Sequence, residues 1–197
     1  MQEHPIKRSS VERAGAMQGL ARRDFLKVGA GFSLALTVAA VLPGCSDARK
    51  APAQGYAFLQ AADVELFSAI APVVVLDLTK LDAAERDRRT QLTLANIDGT
   101  CTALDSHSRG ELRKLFDLLA IAPLRYVLTG VGAWNEAKPE TLVAFLERWR
   151  GSSIATLNSG GNVLVRLVAG SYYVIPETFA SVGYPGPLAA MFQAVNA

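Results

Sequence analysis

"SRGELRKLFDLL", Ser108 to Leu119, is the stretch on which the fold turns. Ser108 followed three residues later by Glu111 has the spacing of a capping box, in which each side chain takes the other's otherwise unpaired backbone N–H. Leu112, Leu115, Phe116 and Leu119 follow at i, i+3, i+4 and i+7, the spacing that gathers apolar side chains on one face of an α-helix. Such a helix must bury that face against another element, and the flanking sequence says which kind.

Upstream, Leu81 to His107 reads as a long helix of mixed polarity whose weak point is Gly99. Before it, Leu66, Ile70, Val73 and Val74 share a helical face. Pro72 should kink or break that run and leave "APVVVLDL" as a second short piece. Downstream, Pro123 opens a short helix with the stripe Leu124, Val127 and Leu128. "TGVGAWNEAKP" (Thr129 to Pro139) reads as loop. Pro139 starts a further helix with the face Leu142, Phe145, Leu146 and Trp149. "NSGG" (Asn158 to Gly161) punctuates, and Leu164, Leu167, Val168 and Tyr172 resume the helical spacing. "SYYVIP" is the one plausible strand, and it is short. "GYPGP" (Gly183 to Pro187) and "LAAMFQAV" close the chain. Alternating segments bounded by turns, the mark of a sheet, are missing. The expected fold is all-α, an irregular bundle of about six helices with short connections.

The N-terminus is of another kind. In "ARRDFLKVGAG" (Ala21 to Gly31), Arg22, Arg23, Phe25, Leu26 and Lys27 resemble a twin-arginine export signal, which carries folded cargo across a membrane. The uncharged run Val28 to Leu42 has fifteen residues, short of the roughly 20 that a spanning helix needs. "LPGC" resembles a lipobox, with Cys45 as the lipidated residue; "APA" at Ala51 to Ala53 is the competing cleavage site. "GAGFSL" starts like a dinucleotide fingerprint, but Leu34 replaces the third glycine and no strand precedes it. The chain therefore divides into a signal with lipobox (1–44), a flexible tether (45–57) and a helical domain (58–197).

Removing the signal leaves about 150 residues, enough for one domain with its own core. The formal charge of +2 resides in the signal, and the remainder is near neutral. Nucleic-acid binding is excluded on that ground, because phosphate contacts need clustered Lys and Arg. "RDRR" (Arg86 to Arg89) is diluted by Asp82, Glu85 and Asp87 and reads as a solvated helix face. With Cys45 acylated, Cys101 has no partner in its own chain, so it is either buried or engaged in an intersubunit disulfide.

Groups that carry chemistry are sparse. His107 is the one histidine beyond the signal, with Ser106, Ser108 and Asp105 beside it. Sequence neighbours on a helix point in different directions, so this cluster does not make a triad. One histidine and one thiol cannot supply a zinc site, and no Glu-x-x-His pattern or phosphate-cradling loop is present. Asp77, Asp82, Glu85 and Asp87 read as the acidic start of a helix. The expectation is no catalytic residue, no metal and no cofactor in this chain.

Three stretches, "LFDLLAIAPLRYVLTG" (Leu115 to Gly130), "LVAFLERWRGSSIATLNSG" (Leu142 to Gly160) and "YYVIPETFASVGYPGP" (Tyr172 to Pro187), resemble the gluconate 2-dehydrogenase subunit 3 family. "AIAPVVV" resembles that family's opening helix, and the likeness runs from about Phe58 to Phe192. The resemblance implies a small subunit that escorts a large FAD-dependent dehydrogenase of the glucose-methanol-choline type through the twin-arginine translocase. FAD would belong to that partner, a cytochrome c subunit would be a further one, and the location would be periplasmic with a lipid anchor at Cys45. Contact positions are sought at Trp134, a large apolar residue in a loop, and at Tyr173, since Tyr172 and Tyr173 cannot both face the core. Tyr184, Pro185 and Gly186 are the remaining ones. Pro185 and Gly186 fit the two central positions of a type II turn, as a rigid corner or as an interface. Two other classes stay open: a stand-alone periplasmic lipoprotein holding a small ligand in its helical core, and a hydrolase using His107 with Ser106 or Ser108.

Overall fold

A computed structural model describes residues 51–186. Among these residues six α-helices and three short 3-10 helices alternate with brief connections, and there is no strand. The fold is thus the expected all-α irregular bundle.

Helix α1 (Ala61–Val74) starts where the Gln60 N–H donates to Asp63 Oδ2 at 2.8 Å. Pro72 sits in its last turn and does not divide it; the helix stops at Val74 and the chain enters the 3-10 turn Leu76–Lys80. Helix α2 (Ala83–Ala103) is capped by Asp82, which accepts the Glu85 N–H, and runs through Gly99 unbroken. Arg86 of "RDRR" donates to the carbonyls of Leu78 and Leu81, fastening that 3-10 turn to α2. Arg88 and Arg89 both pair with Glu85, whose carboxyl they hold down at about 2.

Helix α3 (Ser106–Ala120) departs from the expected start. Its cap is Asp105, whose carboxylate accepts the N–H groups of His107 and Ser108 at 3.0 Å, while the Ser108 hydroxyl donates to the same carboxylate at 2.7 Å. An ionised carboxylate is a stronger acceptor for the exposed N–H groups of a helix start than a hydroxyl, so the cap moves three residues upstream. Glu111 is consequently buried within the helix, with Oε1 taking Lys114 Nζ at 2.8 Å. Leu112, Leu115, Phe116 and Leu119 form the buried face as expected.

Helix α4 (Ala122–Thr129) ends on Gly130, whose φ of +79° is the left-handed conformation that glycine adopts without strain. Its expected stripe is corrected at Val127, which is 77% exposed; Arg125 and Thr129 are the buried residues. The short 3-10 helix Trp134–Glu136 interrupts the expected loop before α5 (Pro139–Arg150), whose Leu142, Phe145, Leu146 and Trp149 are all buried. Helix α6 (Ala155–Tyr172) contains "NSGG", which does not punctuate. A Cβ on Gly161 would lie 2.9 Å from Trp149 Cβ, and one on Gly160 would lie 3.0 Å from the Trp149 ring. The glycines thus let α5 and α6 approach, a packing role that outweighs their poor helix propensity. "SYYVIP" is likewise no strand: α6 runs through Tyr172.

The core is aromatic in two connected zones. Phe116 meets Phe67 at 5.2 Å and Phe58 at 6.1 Å, and Phe145 meets Trp149 at 5.1 Å and Trp134 at 6.1 Å. Trp149 Nε1 also donates to the Leu128 carbonyl at 3.0 Å, satisfying one end of α4. The described part of the expected tether is fastened to the body. Asp98 of α2 accepts the N–H groups of Ala57, Phe58 and Leu59 at 2.9, 2.8 and 2.8 Å, and Ala53 N–H bonds the Leu59 carbonyl.

Candidate partner interface

The segment after α6 carries a row of uncovered apolar side chains on a rigid frame. Tyr172 is buried at the helix end and meets Tyr173 edge-to-face at 5.1 Å. Ile175 is buried, and buried Thr178 donates its hydroxyl to the Ile175 carbonyl at 2.7 Å, which pins the 3-10 helix Pro176–Val182. Glu177 pairs with Arg88 of α2 at 3.4 Å. The Asp77 carboxyl, held below its ordinary range chiefly by the hydrogen bond from Lys80, closes the Leu76–Lys80 turn, while the Ser181 hydroxyl donates to the Thr178 carbonyl at 2.7 Å within the segment itself.

From this frame Val174 is 60% exposed, Val182 53%, Tyr184 48% and Tyr173 36%, and Leu76 on the adjoining turn is 66% exposed. Single exposed apolar residues are ordinary, and here Tyr173, Val174, Val182 and Tyr184 lie on one pinned segment. The corner is stiff. Gly183 and Gly186 have φ of +68° and +92°, the Tyr184 N–H bonds the Phe179 carbonyl, and the two rings meet at 5.0 Å. Gly186 fits the third position of a type II turn after Pro185, and its Cβ position lies 3.7 Å from the Phe179 ring. Tyr173, Tyr184, Pro185 and Gly186 are therefore gathered on this segment. Val174, Val182 and Leu76 belong with them and were not singled out from sequence.

One expected contact position is corrected, and of the two states expected for Cys101 the buried one is found. Trp134 is 1% exposed, covered by Phe145 on one side and by the Arg125 guanidinium 5.5 Å from its ring. Arg125 is itself held by the Gly132 carbonyl, so the tryptophan is core and not a contact. Cys101 is fully buried and unpaired, and burial first, then the charges of Asp98 and Asp63, pushes its thiol up to about 12. A protonated thiol without exposed surface does not form an intersubunit disulfide, since exchange requires an accessible thiolate. Arg22, Arg23, Phe25, Leu26 and Cys45 lie outside the described residues, as does the helix expected from Pro187.

His107 and Ser106 are exposed. Ser108 is turned into the cap of α3, so its hydroxyl serves Asp105 and does not meet the imidazole. Among the described residues no group of three or more His, Cys, Asp or Glu is gathered for a metal, and no helix is long and apolar enough to cross a membrane. Comparison with protein-family models, with curated proteins and with solved structures returned no match for this chain.

Proposed function

We propose that this chain is a non-catalytic small subunit that docks on a large FAD-dependent dehydrogenase and escorts it through the twin-arginine translocase. The observation that carries this reading is the pinned apolar segment Tyr173 to Gly186, with Val174, Val182 and Tyr184 about half uncovered or more. It coincides with "YYVIPETFASVGYPGP", one of the stretches that resemble the gluconate 2-dehydrogenase subunit 3 family. A surface of preset shape binds without the entropic cost of ordering a loop, which suits a subunit that must recognise a folded partner before export.

On this reading the flavin and the substrate site belong to the partner, and electrons leave it for a cytochrome c subunit or a quinone. This chain holds the complex at the outer face of the membrane through lipid on Cys45. The test is co-purification of the tagged chain from its native host after gentle solubilisation, read by visible spectrum and mass spectrometry. A yellow complex with a large flavoprotein is expected. A colourless, solitary chain overturns the escort reading in favour of a stand-alone lipoprotein. Replacing Arg22 and Arg23 by Lys should hold both proteins inside the cell; continued export of the partner contradicts the escort role.

A further inference from the structure

A second feature lies away from the apolar segment. An open groove of about 400 Å³ is lined by Ala57 and Phe58, by Thr102 of α2, and by Ser106, Arg109, Gly110 and Arg113 of α3. The α3 residues fall at i, i+3, i+4 and i+7, so they form one face of that helix. Across from them stands Phe58, fixed by the bond from its N–H to Asp98 and by ring contact with Phe116.

The two guanidinium groups differ in what they have left to give. Arg113 is committed: it forms a bidentate pair with buried Asp63 and a further bond to Asp117 at 2.7 Å. Arg109 has, among the described residues, one hydrogen bond, to the Thr102 carbonyl at 3.4 Å, the long limit for such a bond. A guanidinium carries five N–H donors, so most of those of Arg109 remain for a ligand. Between the two arginines the groove floor is bare backbone, because a Cβ on Gly110 would meet nothing within 4 Å.

We propose that this groove binds a carboxylate attached to an apolar or aromatic body, with the charge on Arg109, the Ser106 hydroxyl as a second donor and the body over Gly110 against Phe58. One uncommitted guanidinium and one hydroxyl suit a monoanion. A phosphate ordinarily draws on more positive charge, and the Asp105 carboxylate beside Ser106 disfavours it. An aromatic wall rewards a flat ligand. Two sources share this chemistry: a free organic acid and the carboxyl terminus of a peptide chain. The site does not rest on the escort reading and has no part in it.

The test is an NMR titration of the ¹⁵N-labelled full chain with phenylacetate, with a short blocked peptide ending in a free phenylalanine carboxylate, and with phenylacetamide as the uncharged control. Shifts at the amides of Phe58, Ser106 and Gly110 are expected with the acid or the peptide and not with the amide. Tighter binding of phenylacetate assigns the groove to free acids, and tighter binding of the peptide assigns it to chain ends. Arg109→Gln should weaken binding about tenfold or more, and Gly110→Leu should block it by filling the floor while leaving the charge in place. Equal response to acid and amide, an unchanged affinity in Arg109→Gln, or no shift with either carboxylate would overturn the proposal.

Discussion

Asp63 and Arg113, fifty residues apart, form a bidentate ion pair in the core: Arg113 Nη1 lies 2.6 Å from Asp63 Oδ2 and Nη2 lies 2.8 Å from Oδ1. Asp63 is 1% exposed and also accepts the Gln60 N–H, so one carboxylate joins the start of α1 to the middle of α3. Asp63→Ala leaves a largely buried guanidinium with Asp117 as its remaining carboxylate. The expected loss is about 3 kcal/mol, the lower end for breaking a buried pair. Urea unfolding measures it, and a loss below about 1 kcal/mol, the level of an exposed pair, would show that the site is solvated.

The Asp98 carboxylate accepts three consecutive N–H groups, from Ala57, Phe58 and Leu59. Asp98→Ala leaves all three without an acceptor and should cost about 3 kcal/mol. Asp98→Asn, which sets an amide N–H₂ against a donor but keeps one oxygen, should cost less. Hydrogen exchange reads the same event locally: these three amides lose protection in Asp98→Ala before the core helices do. Unchanged protection there would mean that another group fastens the segment.

Glycine substitutions on two helices should move stability in opposite directions. Gly161→Ala forces a Cβ to 2.9 Å from Trp149 Cβ and 3.1 Å from the Arg150 backbone nitrogen. The overpacking is expected to cost about 2 kcal/mol net of the gain in helix propensity. At Gly99, exposed in α2, an added Cβ meets nothing within 4 Å, and Gly99→Ala should stabilise by about 1 kcal/mol. Thermal unfolding of the two variants decides it, and equal shifts of one sign would refute the close approach of α5 and α6.

Burial pushes the Cys101 thiol from 9.0 up to about 12. In the unfolded chain the thiol ionises as pH rises through 9.0, while in the fold it stays protonated until about 12. Its contribution to stability is therefore complete below pH 9 and is lost between 9 and 12, because the unfolded state sheds a proton that the fold retains. Cys101→Ala should remove this alkaline slope relative to the parent, and in the parent iodoacetamide should label Cys101 only as fast as the protein opens. Rapid labelling of the folded protein at pH 8 would contradict the burial.

Val174→Asp and Val182→Asp alter exposed side chains. Folding stability should stay within about 0.5 kcal/mol, while retention of the proposed flavoprotein partner in co-purification falls sharply. Loss of the partner in Val127→Asp, on exposed α4, with retention in Val174→Asp would move the interface to the other apolar surface.

What the sequence by itself determined is what depends on near neighbours along the chain. The 3.6-residue spacing placed the buried faces of α3, α5 and α6, Pro123 and Pro139 marked helix starts, and adjacency alone required Tyr172 and Tyr173 to part. Of the proposed interface, the placement of Tyr173, Tyr184 and Gly186 on one segment follows from the same adjacency. Tertiary structure decided what depends on residues brought together from far apart. Trp134 looked exposed because it stands in a loop, and it is buried because Phe145 and Arg125 close over it. "NSGG" looked like a break, and it is helical because Trp149 needs the space that side chains at 160 and 161 would fill. The uncovered positions Leu76, Val174 and Val182 and the Arg109 groove were illegible, since periodicity marks which residues are apolar or charged and not what packs over them.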